Sequence, residues 1–329
     1  MTHQESLRRW ESFSHFSDQQ LAQLGAGLSR VRIPGDAAIL RQGEPTLDAY
    51  LVESGRVRIQ RSTPYGLFTL AVLGPGAILG ETAFVDRRPR TSDAITAEDT
   101  ELLVFSPGSL DPLLQSDAAI AAGLYWLFWK SLSAKLRKAS DNLGGLFLNS
   151  RIPSPAATGS QPVSGFRVGL DDKRRLFEEQ KLSRLEINFL SSLSQERKYE
   201  PGQVIFGEGE DADEMFVVLE GRVRISKEIP GAGEEALSFL ERGAYFGEMA
   251  LIDSKTRSAD ARAHDEGAVV LAFSREVLEG ILGMQRLAST RLLSILCTVV
   301  SGRLRELDKK LIGWFILAGG QGSWPVEDV

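Results

Sequence analysis

The stretch "PGDAAILRQGEPTLDAYLVESGRVRIQ", residues 34–60, has a second copy in the same chain, "PGQVIFGEGEDADEMFVVLEGRVRISK", residues 201–227. Pro-Gly opens both, Gly43-Glu44 answers Gly209-Glu210, Tyr50 answers Phe216, and "SGRVRI" answers "EGRVRI". Further on, Gly80-Glu81 answers Gly247-Glu248, and an arginine follows nine residues after each glutamate, Arg90 and Arg257. The offset stays at 166–167 residues throughout, so the chain is a duplication and its fold is read one copy at a time. Within each copy, short alternating runs such as "AYLVESGRVRIQ" and "MFVVLEGRVRIS" are broken by Gly and Pro. That pattern predicts short antiparallel strands joined by turns. Strands of this kind close into a small barrel or jelly roll.

Helices are expected on both sides of each roll. "SDQQLAQLGAGLSRV" and "LSRLEINFLSSLSQE" precede them, each with a serine placed to cap a helix. After the first roll Tyr125, Phe128, Leu132, Leu136, Ala139 and Leu143 recur at steps of three and four. After the second, Leu293, Leu296, Val300, Leu304, Leu307 and Leu311 do the same. Both stripes predict amphipathic helices. Between the copies "SRIPSPAATGSQPVSG" is rich in Ser, Pro, Gly and Ala and reads as an extended, mobile linker. The expected class is therefore α+β: two tandem antiparallel β-roll barrels flanked by helices, each followed by a long helix. The expected boundaries are a domain at 1–149, a linker at 150–172, a domain at 173–313 and a tail at 314–329.

Composition narrows the function. Of 329 residues 43% are hydrophobic and 25% charged, as in soluble globular proteins. Residues 1–150 carry 15 Lys+Arg against 16 Asp+Glu, and the remainder 23 against 28, so neither half advertises a phosphate-backbone binder. The single cysteine, Cys297, fits a reducing compartment and lies in an apolar run that suits core packing. "LYWLFW" and "LIGWFILA" fall far short of the ~20 apolar residues that span a bilayer, and the N-terminus lacks a signal-peptide run. The expected location is the cytoplasm. The three histidines, His3, His15 and His264, are scattered without triad or metal-ligand spacing. No Gly-rich loop ends in Gly-Lys-Ser/Thr. An enzyme is not expected, nor is a metal or other cofactor.

The chemistry concentrates in "YFGEMALIDSKTRSADARA", residues 245–263, and its earlier copy "ILGETAFVDRRPRTSDAIT", residues 78–96. A glycine ahead of a glutamate lets backbone approach a ligand closely. If "EMALI" forms one helical turn, its free amides attract an anion. Arg257, returning on the next strand, supplies a charged donor fork suited to phosphate. Glu248 accepts hydrogen bonds only, and so suits sugar hydroxyls. Ala250, Ser258 and Ala259 keep the space between them open. One phosphate beside one ribose describes a nucleotide. The alternative is an internal Glu–Arg ion pair with no ligand, and recurrence of the same pair in both copies argues against it.

"FGEMALIDSKTRSA" resembles the phosphate-binding cassette of the cyclic nucleotide-binding domain, and the glycine framework of that domain extends over nearly the whole chain. The resemblance implies a β-roll binding cyclic AMP or cyclic GMP, with the cassette glutamate on the ribose 2′-hydroxyl and the arginine on the cyclic phosphate. Carried over, these roles fall on Glu248 and Arg257, with Phe246, Gly247, Ala250, Leu251, Ser258 and Ala259 completing the second pocket. In the first pocket they fall on Glu81 and Arg90, with Leu79, Gly80, Ala83, Thr91 and Ser92. The first cassette is looser: Leu79 stands for the phenylalanine, Phe84 for the leucine, and Thr91-Ser92 for Ser-Ala. Thr91 resembles the choice that favours guanine, and cyclic AMP is the expected ligand of the second site. A cyclic dinucleotide is an alternative ligand.

Trp126, Trp129, Trp314 or Phe315 could close over the base as helix residues do in this family, or pack as core. Arg56, Arg58, Arg222 and Arg224 alternate along strands and share a solvent face. The family's transcription factors carry a helix-turn-helix, its kinase regulatory subunits a docking segment and pseudosubstrate, and its channels membrane helices. None of these is read here, so direct DNA or membrane contact is not expected. The expected protein is a bacterial regulatory receptor that signals through an effector protein or through a homodimer on the 293–311 helix. Packing of that helix within the chain is the alternative, and a ligand-free interaction scaffold is the rival function.

Overall fold

The computed structural model describes residues 1–64, 66–145, 157–229, 233–284 and 286–317. Residues 150–156 of the linker stretch and 318–329 of the tail lie outside the described residues. The chain divides into two compact units. One is Met1–Leu132 with Val300–Arg305 and residues from Ile312 onward; the other is Ser133–Val299 with Glu306–Leu311.

The first unit opens with α1 (His3–Arg8) and α2 (Asp18–Ala26). Ser17 caps α2 in a reciprocal capping box with Gln20, which satisfies two amides that a helix start otherwise leaves bare. Eight strands follow: β1 (Ser29–Ile33), β2 (Ala38–Leu40), β3 (Ala49–Ser54), β4 (Val57–Thr63), β5 (Gly66–Leu73), β6 (Ile78–Leu79), β7 (Asp93–Thr96) and β8 (Thr100–Phe105). A short helix, α3 (Glu81–Asp86), sits between β6 and β7. The strands pair antiparallel in two sheets, β1-β8-β3-β6 and β2-β7-β4-β5. Both sheets feed one core, including Leu40, Val52, Val57, Leu73, Leu79 and Leu102. The expected roll is therefore present as two sheets over a shared core, and among the described residues its hydrogen bonding does not close into a barrel. Helices α4 (Pro107–Ser116) and α5 (Ala118–Gly145) follow the first roll in sequence.

The second roll has α6 (Leu170–Glu179) and α7 (Arg184–Leu193), the latter capped by Ser183 in a capping box with Glu186. Its strands are β9 (Gln195–Tyr199), β10 (Val204–Phe206), β11 (Glu214–Ile229), β12 (Gly233–Leu240), β13 (Tyr245–Phe246) and β14 (Asp260–Ser274). The cassette helix α8 is Met249–Asp253; α9 (Arg275–Met284) and α10 (Arg286–Leu317) follow. Here one six-stranded sheet forms, because β11 and β14 run unbroken where the first copy divides each into two strands. The bend comes at "EGRV": the β11–β14 register shifts between Val218 and Glu220 and again between Gly221 and Arg222. Gly221 has φ +75°, and a Cβ there would lie 2.1 Å from the Gly267 carbonyl oxygen. Gly55 repeats the arrangement with φ +84° and the Asp99 oxygen at 2.6 Å. The glycine of "GRVRI" is thus where a strand folds over tightly against its neighbour.

Segment 157–163, read as linker from composition, makes backbone bonds to the second roll: Ser160 donates to the Val204 carbonyl at 2.7 Å and Val163 to that of Lys198 at 2.8 Å. On α5, Phe128, Leu132, Leu136, Ala139 and Leu143 are buried, and Tyr125 is half-buried. On α10, Leu293, Leu296, Val300, Leu304, Leu307 and Leu311 are all buried within the single chain, as is Cys297. This burial fits the alternative reading, packing of that stripe within the chain.

Candidate functional site

In the second unit, β13 pairs with β11 through Phe216 and Phe246, and the chain then turns into α8 at Gly247. Gly247 has φ +76°, and a Cβ there would stand 2.6 Å from Arg257 Nη1. Glycine is required twice over, for the left-handed turn and for room beside the guanidinium. Glu248 caps α8 and is 1% exposed, with Ala250, Leu251 and Ala259 also buried and Ser258 half-buried.

Arg257 is 6% exposed. Nη1 donates to the Gly247 carbonyl at 2.8 Å and Nη2 to that of Glu214 at 2.8 Å. The guanidinium lies 4.2 Å from the Phe206 ring centroid and 5.6 Å from that of Phe216. Its Nε has no hydrogen-bond partner. Burial in this aromatic setting pushes the guanidinium down to about 10, against the charges of Glu214 and Glu248, which pull it up. It remains a cation at neutral pH, desolvated and with a donor unspent, which favours an incoming anion.

The first unit repeats the frame. Gly80 has φ +79° and Glu81 opens α3. Leu79, Glu81, Ala83 and Arg90 are buried, Thr91 and Ser92 half-buried. Arg90 Nη1 donates to the Gly80 carbonyl at 2.9 Å, Nη2 to the Asp48 carbonyl at 2.7 Å, and Nε to Thr46 Oγ1 at 3.0 Å. Burial lowers its pKa also. The hydrogen bonds described for the two arginines run to backbone carbonyls and, in the first unit, to Thr46, while the charge of each cassette glutamate acts on its arginine to raise its pKa. Glu81 accepts from Ser131 Oγ on α5 at 2.9 Å.

The Gly-Glu pairs near the start of each copy have a definite task. Arg257 donates its amide to the Glu210 carbonyl and Gly209 donates to the Arg257 carbonyl, both at 2.9 Å; Arg90 does the same with Glu44 and Gly43. A backbone ladder thus fixes the strand entry of each arginine. Beside the second arginine lies a cavity of about 630 Å³, bordered by Arg137, Asp141, Glu208, Lys255, Arg257 and Ser258 among others. That falls within the ~300–1,000 Å³ of small-molecule sites. It reaches the arginine side of the cassette, and Glu248 does not line it.

Several residues here carried no sequence signal. Lys227, buried on β11, donates to the Ser258 carbonyl at 3.1 Å and to Glu208, steadying backbone next to Arg257. Arg137 and Ser140 reach the second cassette from α5, and Ser301 and Arg305 the first from α10. The only available clue was that an aspartate stands five residues after each cassette glutamate, Asp86 and Asp253. Of the proposed base-closing side chains, Trp129 is buried edge-on to Trp126, and Phe315 packs edge-on to Phe68. The strand arginines pair at the surface: Arg58 with Asp36, Arg222 with Glu241 and Asp265, and Arg224 with Glu234.

The model of the cyclic nucleotide-binding domain matches residues 30–117 and 196–284, more than half of the chain. The chain belongs to the cyclic nucleotide-binding domain family. Domains of this family take cyclic AMP or cyclic GMP as ligand and are regulatory rather than catalytic. Among curated proteins, the chain is 23% identical over 306 residues to a cAMP-dependent protein kinase regulatory subunit of Mycosarcoma maydis, covering 89% of this chain and 48% of that one. It is 20% identical over 280 residues to a cGMP-dependent protein kinase of Caenorhabditis briggsae, covering 85% and 31%. It is 32% identical over 126 residues to the cyclic AMP receptor protein of Thermus thermophilus, covering 38% and 56%. The chain therefore spans between about a third and just over half the length of these relatives. Among solved structures it is similar to the regulatory domain of Toxoplasma gondii PKA with cAMP, at 19% identity, TM-score 0.33, and coverage of 89% and 93%. Among the described residues no helix is long and apolar enough to cross a membrane, and no cluster of His, Cys, Asp and Glu could hold a metal ion.

Proposed function

We propose that this chain is a cyclic nucleotide receptor that binds cyclic AMP or cyclic GMP in two pockets and reports through a conformational change to a partner protein or to its own oligomer. The observation that carries the reading is Arg257: a buried, desolvated guanidinium with an unspent Nε, beneath a glycine turn and beside an acceptor glutamate. Arg257 would pair with the cyclic phosphate and Glu248 with the ribose. Gly247, Ala250, Leu251, Ser258, Ala259 and Phe246 would form the walls. Glu81 and Arg90 would do the same in the first pocket. Binding then draws each cassette onto its arginine and biases the long helix that touches it. Coupling of this kind is typically ~1–3 kcal/mol, and a near-complete switch needs about 5.5 kcal/mol of differential affinity, which two sites together can supply.

A second reading applies to the first pocket. Each of the three nitrogens of the Arg90 guanidinium donates to a protein acceptor and Glu81 accepts from Ser131, which suits a pocket kept closed as an interaction module. Calorimetry with cyclic AMP, cyclic GMP and cyclic di-GMP separates the cases. Two equivalents of a mononucleotide support two pockets, and one equivalent supports a closed first pocket. No heat from any of the three at micromolar protein overturns the receptor reading.

A further inference from the structure

Each cassette is gripped by an arginine that the family's motif does not contain. Arg137 on α5 meets Asp253, the last residue of α8, through Nε to Oδ2 and Nη2 to Oδ1 at 3.1 Å. Its Nη1 donates to the Thr256 carbonyl at 3.0 Å, directly before Arg257. Arg305 on α10 meets Asp86, the last residue of α3, through Nε to Oδ2 at 2.7 Å and Nη2 to Oδ1 at 2.8 Å. Its Nη1 donates to the Pro89 carbonyl at 2.8 Å, directly before Arg90. The same three bonds thus recur in both units, and both arginine side chains are 11% exposed.

The aspartates have a second task. Asp253 Oδ1 accepts the Lys255 amide at 3.1 Å and Asp86 Oδ1 the Arg88 amide at 3.1 Å. Between them Ser254 and Arg87 adopt left-handed φ of 52° and 56°. An aspartate that accepts from the amide two residues on sets such a turn, and the turn aims the following loop. Fixing the aspartate from one side and the carbonyl before the cassette arginine from the other leaves that loop little freedom. The grip is bidentate, charge-assisted and largely buried, the strong form of such a bond. Each arginine reaches its cassette from the helix that follows the other roll in sequence: α5 follows the first roll, but Arg137 belongs to the second unit, and α10 follows the second, but Arg305 belongs to the first.

We propose that Arg137 and Arg305 are positioning residues for the two ligand sites, each holding the cassette helix end and the approach to the cassette arginine and thereby setting the affinity of that pocket. This rests on the receptor function proposed above. A loop held in place before ligand arrives loses less freedom on binding. Releasing one clasp therefore weakens its own pocket and spares the other.

The test uses the full chain. With the first site silenced by Arg90→Ala, Arg137→Ala is expected to weaken binding of cyclic AMP or cyclic GMP at the second by roughly tenfold, the scale of one newly mobile side chain. With the second silenced by Arg257→Ala, the same Arg137→Ala leaves the first unchanged, and Arg305→Ala shows the reverse selectivity. Restoring the pair with its charges exchanged, Arg137→Asp with Asp253→Arg, recovers part of the affinity. Amide hydrogen exchange without nucleotide is the second readout: Arg137→Ala speeds exchange over residues 249–258 and not over 81–90. If Arg137→Ala does not fold, Arg137→Lys, which keeps charge but not the fork, carries the same comparison. Unchanged or tighter second-site binding, or a loss at the first site instead, overturns the proposal. If the wild type binds no nucleotide, the receptor reading falls, and exchange alone decides: selective speeding upholds the clasp as a cassette-positioning device, and equal rates end it.

Discussion

Arg90 Nε donates to Thr46 Oγ1 at 3.0 Å, whereas its counterpart Arg257 has Ala212 at the corresponding place and an Nε with no partner. The register is secure, because Asp48 and Glu214, two residues further on in each copy, supply equivalent carbonyls to the two arginines. One hydroxyl therefore distinguishes a guanidinium whose Nε is engaged from one whose Nε is not. Exchanging the two residues should exchange the behaviour. Ala212→Thr is expected to weaken nucleotide binding at the second site several-fold and Thr46→Ala to strengthen it at the first, since a net hydrogen bond is worth about 1 kcal/mol. Calorimetric Kd values for the two variants check this, and equal effects on both sites would refute it.

Arg257→Ala removes the proposed phosphate partner and two internal bonds together. Binding at the second site should fall by about 1.5–3 kcal/mol, the scale of a hydrogen bond to a charged group. Thermal stability should fall as well, because the carbonyls of Gly247 and Glu214 lose their donor. Unaltered second-site affinity in this variant would place the ligand elsewhere.

Gly247→Ala meets two obstacles, φ +76° and Arg257 Nη1 at 2.6 Å, while Gly209→Ala meets only φ +85°, with open space around it. Strain at a left-handed position costs on the order of 1–3 kcal/mol. Denaturant unfolding should show Gly247→Ala as the more destabilised of the two, and only that variant should also lose nucleotide affinity. Identical losses would mean that the guanidinium gives way freely.

Acid should unfold the second roll partly through Glu196. Burial pushes this carboxyl up, but the hydrogen bond from Lys173 Nζ at 2.6 Å, the residue's own backbone amide, the Lys173 charge and Arg167 outweigh it and hold the group at about 2. A carboxyl held below its unfolded value stabilises the fold above that unfolded value, and the contribution drains away as pH falls through about 2. Glu196→Gln should be less stable than the wild type at neutral pH, and the gap should close between pH ~4.5 and about 2. A gap that stays constant with pH would show that the pair carries no proton-linked stability.

Much of this protein is local, and the sequence by itself determined that part. The duplication, the strand periods, the serine caps at Ser17 and Ser183, and the cassette helix starting at Gly247-Glu248 follow from period, capping chemistry and the positive φ that glycine permits. What each arginine touches was decided only by tertiary structure. The Gly247 and Glu214 carbonyls, the alanine in place of Thr46, and Phe206 beneath the guanidinium come together through strand pairing, which no window of sequence displays. The clasps are more remote still, joining residues 116 and 219 positions apart. The same applies to the 293–311 stripe. Its period announced a buried face, but whether another chain or this one covers it depended on packing, and this chain covers it. Local backbone preference acts over a few residues and leaves a readable period, whereas a buried ion pair needs only two side chains brought together by the whole fold.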